Sequence, residues 1–389
     1  MKDNRIVVEV KHKKLRTVAF FLALIVAVCA FTGGIYAFVH KDPGWYDIRP
    51  GNDEEAPQYD NDVALTFYFA GKSDEIRVAN NEVTAIYKEA LSRIYKLTDP
   101  VNTYLGYTNL ATVNSTPGEW IELPEELYSA VNHAFALTQE GRGYSVLSGG
   151  LFEEWQNLRY LDDPAPSDPV NDLRESGTLH SLARMIADPA EVGLDLRDET
   201  REVRLTKSDA YRRLEEKAEL SGAVLDLGLL RQAFMVAYCA DALSDAGYNT
   251  GLFTASGGLT YAMSGSGAGH IDLFTFFDGA VQYAGAAAFP AGGAAVSVCR
   301  AFGLKDELGY YTVETDGGTV FRGPCYSALT GDAPCTLLSA ASILPGAKGD
   351  AIADAVYESL LLFLDGKTPE NAASSFSFVT ADAPETLVQ

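Results

Sequence analysis

The sequence predicts an α+β fold, and three observations carry that reading. Helical and extended patterns alternate irregularly, and no segment repeats. Residues 251–345 are rich in Gly, Ala, Phe and Val and carry turn signals at short, regular spacing, as antiparallel sheet does. With 389 residues, 47% hydrophobic and 21% charged, the chain has ample material for a large core.

The N-terminus reads first as a membrane device. Lys2, Arg5, Lys11, Lys13, Lys14 and Arg16 outnumber Asp3 and Glu9 over residues 1–17. Val18 to Val39 then runs 22 residues without a charge. As a helix that run is about 33 Å long, enough for a hydrocarbon core of about 30 Å. It is apolar on every face, unlike a core helix. The basic flank keeps the N-terminus cytoplasmic and sends the rest of the chain across, a single-pass arrangement in the cell membrane. A cleavable signal ending at Val28-Cys29-Ala30 is the alternative, and both readings place the body outside the cytoplasm.

Residues 40–61 are rich in Pro, Gly and acids without periodicity and read as a tether. The first 40 residues carry +4, so the formal −23 of the whole chain leaves −27 for residues 41–389. A body so acidic repels phosphate backbones and anionic headgroups, which excludes nucleic acid as a partner.

The body, residues 62–381, opens with a strand at Val63–Ala70 and a helix at Glu82–Leu97, whose Val83, Ile86, Tyr87, Ala90, Leu91 and Ile94 recur at helical spacing. Leu123–Thr138 is a second amphipathic helix, with Pro124, Glu125 and Glu126 suited to its N-terminus. Leu151–Trp155 reads as a short apolar turn. A helix near 178–187 follows, then strands at Val192–Asp195 and Val203–Leu205 and an apolar passage at Ala223–Leu243. After the sheet-rich stretch come a helix at Ala351–Leu364, a strand at Ser375–Thr380 and a frayed tail over 382–389.

Cys239 and Cys299 read as core. Cys325 and Cys335 flank a turn-rich loop and are candidates for a disulfide. Five histidines, scattered singly, form no catalytic or zinc pattern.

Three stretches, in order, resemble the ApbE family of FAD:protein FMN transferases. Asn109–Asn114 (NLATVN), the helix after Pro124 and Gly143–Trp155 (GYSVLSGGLFEEW) are similar to its S-E-L-S-x-x-N, helix and G-x-F-D-x-T-x-x-P-L-x-x-x-W. Leu225–Gly228 (LDLG), a helix reaching Gly247 and then Ser256-Gly257-Gly258 are similar to L-D-L-G-x-x-A-K-G-Y-x-x-D and N-x-G-G. Thr330-Gly331-Asp332-Ala333-Pro334 and Ala353–Glu358 (ADAVYE) are similar to H-x-x-D-P-x-T-G-x-P and A-D-A-L-S-T. The resemblance implies a single ApbE-like, T-fold-related domain that binds FAD as substrate and Mg2+. It implies transfer of FMN to a Ser or Thr of an acceptor protein in the cell envelope.

Carried over position by position, the resemblance names Asn109, Gln232, Ser256, Gly257, Gly258, Thr330 and Gly331 as flavin-site residues. It names Asp354 and Glu358, one helical turn apart, as metal ligands, with Asp350 a rival partner for Asp354. The pattern also departs. Gln232 stands where the family has Lys, Ala237 and Ser327 where it has Asp, Pro324 where it has His, Glu358 where it has Thr, and Tyr144-Ser145 where it has Phe-Asp. No catalytic residue is assigned. The alternatives are a catalytically degenerate flavin- or partner-binding ectodomain and an envelope interaction domain without flavin.

Overall fold

The computed structural model describes residues 44–48, 63–69, 73–304, 307–333, 337–370, 372–380 and 387–388. The basic tail, the apolar run 18–39, most of the expected tether, Pro334 and Cys335 lie outside the described residues. Among the described residues no helix is long and apolar enough to cross a membrane.

Strands β1 (Gly44–Ile48) and β2 (Val63–Phe69) precede helix α1 (Ser73–Leu97), α2 (Leu110–Ser115), β3 (Ile121–Glu122), α3 (Glu125–Gln139) and α4 (Gly149–Arg159). Then come α5 (Leu173–Ile186), the hairpin β4 (Val192–Arg197) and β5 (Glu202–Lys207), α6 (Asp209–Lys217), a 3-10 turn at Gly228–Leu230, and α7 (Arg231–Asp245). The second half holds β6 (Leu252–Ala255), β7 (Leu259–Ala262), β8 (Gly269–Phe277), β9 (Ala280–Phe289), β10 (Ala294–Arg300), β11 (Tyr311–Thr315), β12 (Gly318–Arg322) and β13 (Leu337–Pro345). It ends with α8 (Ala351–Asp365), β14 (Ser375–Thr380) and β15 (Leu387–Val388). Helix and strand are mixed as an α+β chain requires.

The chain divides into two units. One is residues 1–45 and 68–82, described mainly as the first turns of α1. The other, residues 46–67 and 83–389, holds everything that follows.

The main sheet runs β1-β2-β6-β7-β10-β13-β14-β15, and its centre is antiparallel: Val296 pairs with Ile343 on one side and with Thr260 on the other. Every residue of β13 except its terminal Pro345 is buried. This explains its unbroken apolar and small-residue sequence, since a strand covered on both faces has no solvent side to alternate toward. Helix α8 packs on β10 and β13, burying twelve of its fifteen residues, and Ser297 and Ser359 join helix to sheet by a hydrogen bond of 2.8 Å. Gly366, with φ +66°, ends α8 in a left-handed turn that a side chain would strain.

Several expectations shift by local chemistry. Leu151–Trp155 is not a turn but the middle of the eleven-residue α4. The Ala223–Leu243 passage holds irregular backbone up to the 3-10 turn, and the helix starts only at Arg231. The segment read as a tether contains β1, and the tail read as frayed contains β15, which pairs Leu387 with Phe378. Cys325 is a free, buried thiol close against the thiol of Cys299, and Cys335, its expected disulfide partner, lies outside the described residues.

Candidate functional site

A cavity of about 1050 Å3 opens among the loop after α1, the start of α4, the 223–228 segment, the start of α7 and the turn between β6 and β7. Each wall has an identifiable fastening. Asp99 organises the first loop: its Oδ1 accepts from the backbone N–H groups of Val101 (2.9 Å) and Asn102 (2.8 Å), its Oδ2 from the Asn102 amide (3.1 Å) and the Tyr104 hydroxyl (2.6 Å). Burial opposes its ionisation, but these donors win and hold the carboxyl below its ordinary range.

Asn114 fastens the second wall. Its amide N–H groups donate to Pro100 O (2.9 Å) and Leu225 O (3.0 Å), and its oxygen accepts from Val224 N (3.2 Å) and Leu225 N (2.8 Å). One side chain thus satisfies three backbone groups at Val224 and Leu225, the entry to the Leu-Asp-Leu-Gly segment, and ties that segment to the Asp99 loop. Asp226 of that segment lines the cavity, accepts from Gly228 N at 2.9 Å, and has its carboxyl pushed up by burial.

Gln232 fastens the third wall. Its amide donates to Ser256 Oγ (2.6 Å) while its oxygen accepts from Gly257 N (2.8 Å), so both ends of the side chain hold the β6–β7 turn. Gly258 is required there, and Gly257 leaves room for the Gln232 amide. A Cβ on Gly257 would sit 2.8 Å from Gln232 Oε1, and one on Gly258, whose φ is +87°, would sit 2.2 Å from Val298 O.

Of the residues expected to hold a flavin, the structure therefore brings Gln232, Ser256 and Gly257 to the cavity wall, with Gly258 forming the turn behind them. Asn109, Thr330 and Gly331 do not line it. Asn109 is fully buried and caps α2, and its amide donates to Lys96 O and Asn102 O. It shapes the Asp99 loop from behind. Thr330 and Gly331 form a turn on α5, where a Cβ at Gly331 would meet Leu179 O at 2.7 Å.

Asp354 and Glu358 lie on α8, away from the cavity wall, and their oxygens are engaged separately. Asp354 Oδ1 is 2.8 Å from His133 Nε2, and the hydrogen bond that the imidazole donates to Asp354 raises its pKa against its partial burial. Glu358 accepts Ala373 N on Oε1 (2.9 Å) and Ser374 N on Oε2 (3.1 Å). Asp350, the rival, takes the Ser129 hydroxyl. The set does not fit a shared divalent cation, and among the described residues no group of three or more His, Cys, Asp or Glu side chains is placed to hold a metal ion.

Two cations also line the cavity, Arg159 and Arg231. Arg231 donates from Nε to Thr98 Oγ1 (3.1 Å) and from Nη2 to Tyr95 O (3.3 Å), and lies 4.7 Å from the centre of the Tyr95 ring. Arg159, only 5% exposed, donates from Nε to Gly309 O (2.7 Å) and from Nη1 to Gln156 Oε1 (2.8 Å). It lies 5.5 Å from the ring centre of Tyr160 and 5.9 Å from that of Tyr310. The sequence signal for Arg231 was its place beside Gln232, shortly after the Leu-Asp-Leu-Gly segment; Arg159 had none.

Among solved structures the chain is similar to the ApbE protein of Thermotoga maritima: 15% identity, 89% of this chain and 97% of that chain covered, TM-score 0.56. The fold is ApbE-like. The Pseudomonas stutzeri flavinyl transferase ApbE in its apo form gives the same answer, with 15% identity, 90% and 95% coverage and TM-score 0.53. No family model and no curated protein matches the sequence, so the likeness is one of fold. On this ApbE-like scaffold the backbone fastenings at Asn114 and the double glycine are in place, whereas the α8 carboxylates are occupied within the protein.

Proposed function

We propose that this chain is an ApbE-like flavin body, anchored in the cell membrane with its mass outside the cytoplasm, that binds FAD in the cavity described above. The observation that carries this is the cavity itself. It has dinucleotide-scale volume, a close-approach glycine turn, and two guanidinium groups beside aromatic rings at Tyr95, Tyr160 and Tyr310. The anchor and the outward orientation rest on the basic flank and the apolar run at 18–39.

Transfer of FMN from FAD to a Ser or Thr of an envelope partner, with Mg2+, is the finer reading of the same scaffold. Asp354 and Glu358 do not fit the cation it uses, because His133 holds Asp354 Oδ1 and the 373–374 backbone holds both oxygens of Glu358. No step is derived through a metal, and binding without transfer is the reading the geometry favours.

The test uses the full-length chain purified in detergent. Titration with FAD should quench flavin fluorescence saturably at low-micromolar protein, and incubation with FAD, Mg2+ and a Ser/Thr acceptor peptide should release no AMP. AMP release with flavin on the peptide would establish the transferase instead. Failure of any flavin to bind would overturn both.

A further inference from the structure

Arg159 and Arg231 are unusual in what they lack. All their hydrogen bonds go to neutral acceptors, a hydroxyl, an amide oxygen and two backbone carbonyls. Among the described residues neither reaches a carboxylate within ion-pair distance, whereas Lys207, Arg300 and Arg322, which are similarly buried, each pair with one. Among the described residues each guanidinium also leaves one terminal nitrogen, Nη2 of Arg159 and Nη1 of Arg231, without an acceptor. An arginine cannot discharge itself by losing its proton, so a largely buried and uncompensated one is costly unless an anion visits it.

The carboxylates that share the wall are turned to other donors. Asp99 is saturated by its loop, Glu153 accepts the N–H and hydroxyl of Ser221 (2.9 and 2.6 Å), and Glu307 forms a two-pronged pair with Arg300 (2.9 and 2.8 Å). Asp226 feels the field of Arg231 without reaching it. Of the four carboxylates in the lining only Glu307 is paired with a cation among the described residues, so what the two arginines offer a ligand is their unaccepted terminal N–H groups, planar donors that suit phosphate and carboxylate oxygens.

We propose that Arg159 and Arg231 neutralise the pyrophosphate of the bound dinucleotide, in the role a divalent cation would otherwise fill, so that FAD binding by this chain is independent of metal. The inference rests on the flavin reading above and names the part of the ligand that the cavity recognises.

The test is FAD titration of the full-length protein in excess EDTA and again in Mg2+, with wild type, Arg159→Gln and Arg231→Gln. Riboflavin, which has no phosphate, and inorganic pyrophosphate are titrated beside it. The FAD Kd should be the same in EDTA and Mg2+, and each substitution should weaken FAD about 10- to 100-fold. Riboflavin affinity should stay at the wild-type value, which also reports that each variant is folded. Loss of FAD binding in EDTA overturns the proposal, as does FAD affinity that either folded variant leaves unchanged. Should no flavin bind while pyrophosphate binds wild type and neither variant, the flavin reading falls and the arginine assignment stands. Should Arg159→Gln lose riboflavin as well, Arg231→Gln and the EDTA comparison decide the outcome.

Discussion

Asp168 offers a direct measure of how firmly the cavity's far wall is held. It is fully buried and accepts from Arg322 Nε (2.8 Å) and Nη2 (3.1 Å), from the Tyr311 hydroxyl (2.8 Å) and from Val170 N (3.0 Å). Arg322, 8% exposed, ends β12, next to Gly323, whose carbonyl accepts from Trp155, and Pro324, which lines the cavity. Asp168→Ala removes all four bonds and strands the guanidinium in the interior with only Ala333 O left to it. Breaking a buried pair in this way costs about 3–5 kcal/mol. At about 2–4 °C per kcal/mol that lowers Tm by roughly 6–20 °C, read by circular dichroism at neutral pH.

The sign of the pH dependence follows from the same bonds. Burial works against the Asp168 carboxylate, but Arg322, Val170 and Tyr311 outweigh it and depress its pKa. Its stabilisation is therefore complete above the ordinary carboxylate range and lost as pH falls through the depressed value. The gap in Tm between wild type and variant should narrow below about pH 4. A variant within 1 °C of wild type, or a gap that widens in acid, would refute the reasoning.

Three further outcomes are expected. Gly258→Ala forces a Cβ to 2.2 Å from Val298 O at a φ of +87°, so it should cost about 1–3 kcal/mol and weaken FAD; wild-type Tm with wild-type Kd would contradict the assigned turn. Glu154, whose pKa burial and the neighbouring Glu175 raise to about 7, stabilises the fold when protonated, so that contribution is present below about pH 4 and lost as pH rises through about 7. Glu154→Gln should accordingly gain stability over wild type at pH 8 in urea unfolding, and no gain there would sink the assignment. Asp354→Asn breaks the half-exposed contact with His133, worth about 0.5–1 kcal/mol after solvent screening, and should leave FAD affinity unchanged; a fall in affinity would return Asp354 to the site.

Most of the scaffold was legible in the sequence where burial leaves a local signature. The α1 stripe of Val83, Tyr87, Ala90, Leu91 and Ile94 is buried as its spacing requires, and Ser375–Thr380 is β14 at the expected bounds. Helix α2 escaped notice because six residues are too few to show a period, and α6 because Tyr211 and Glu215 are its only buried residues. In the site, the Gly-Gly turn and Gln232 could be found because backbone constraint is written in residue type. Arg159 and Arg231 could not, since what distinguishes them is the neutrality of partners as far away in sequence as Gly309 and Thr98. For Asp354 and Glu358 the helical spacing was real, but competing donors on α3 and in the 373–374 backbone had no sequence mark.

The Asn114 clamp has a kinetic corollary. It joins residues up to 111 positions apart, and the cavity rim extends from Tyr95 to Pro324, so synthesis must be far advanced before the whole cavity can close. Long-range closures of this kind come late in folding. A ligand of this cavity would thus enter a container already largely built.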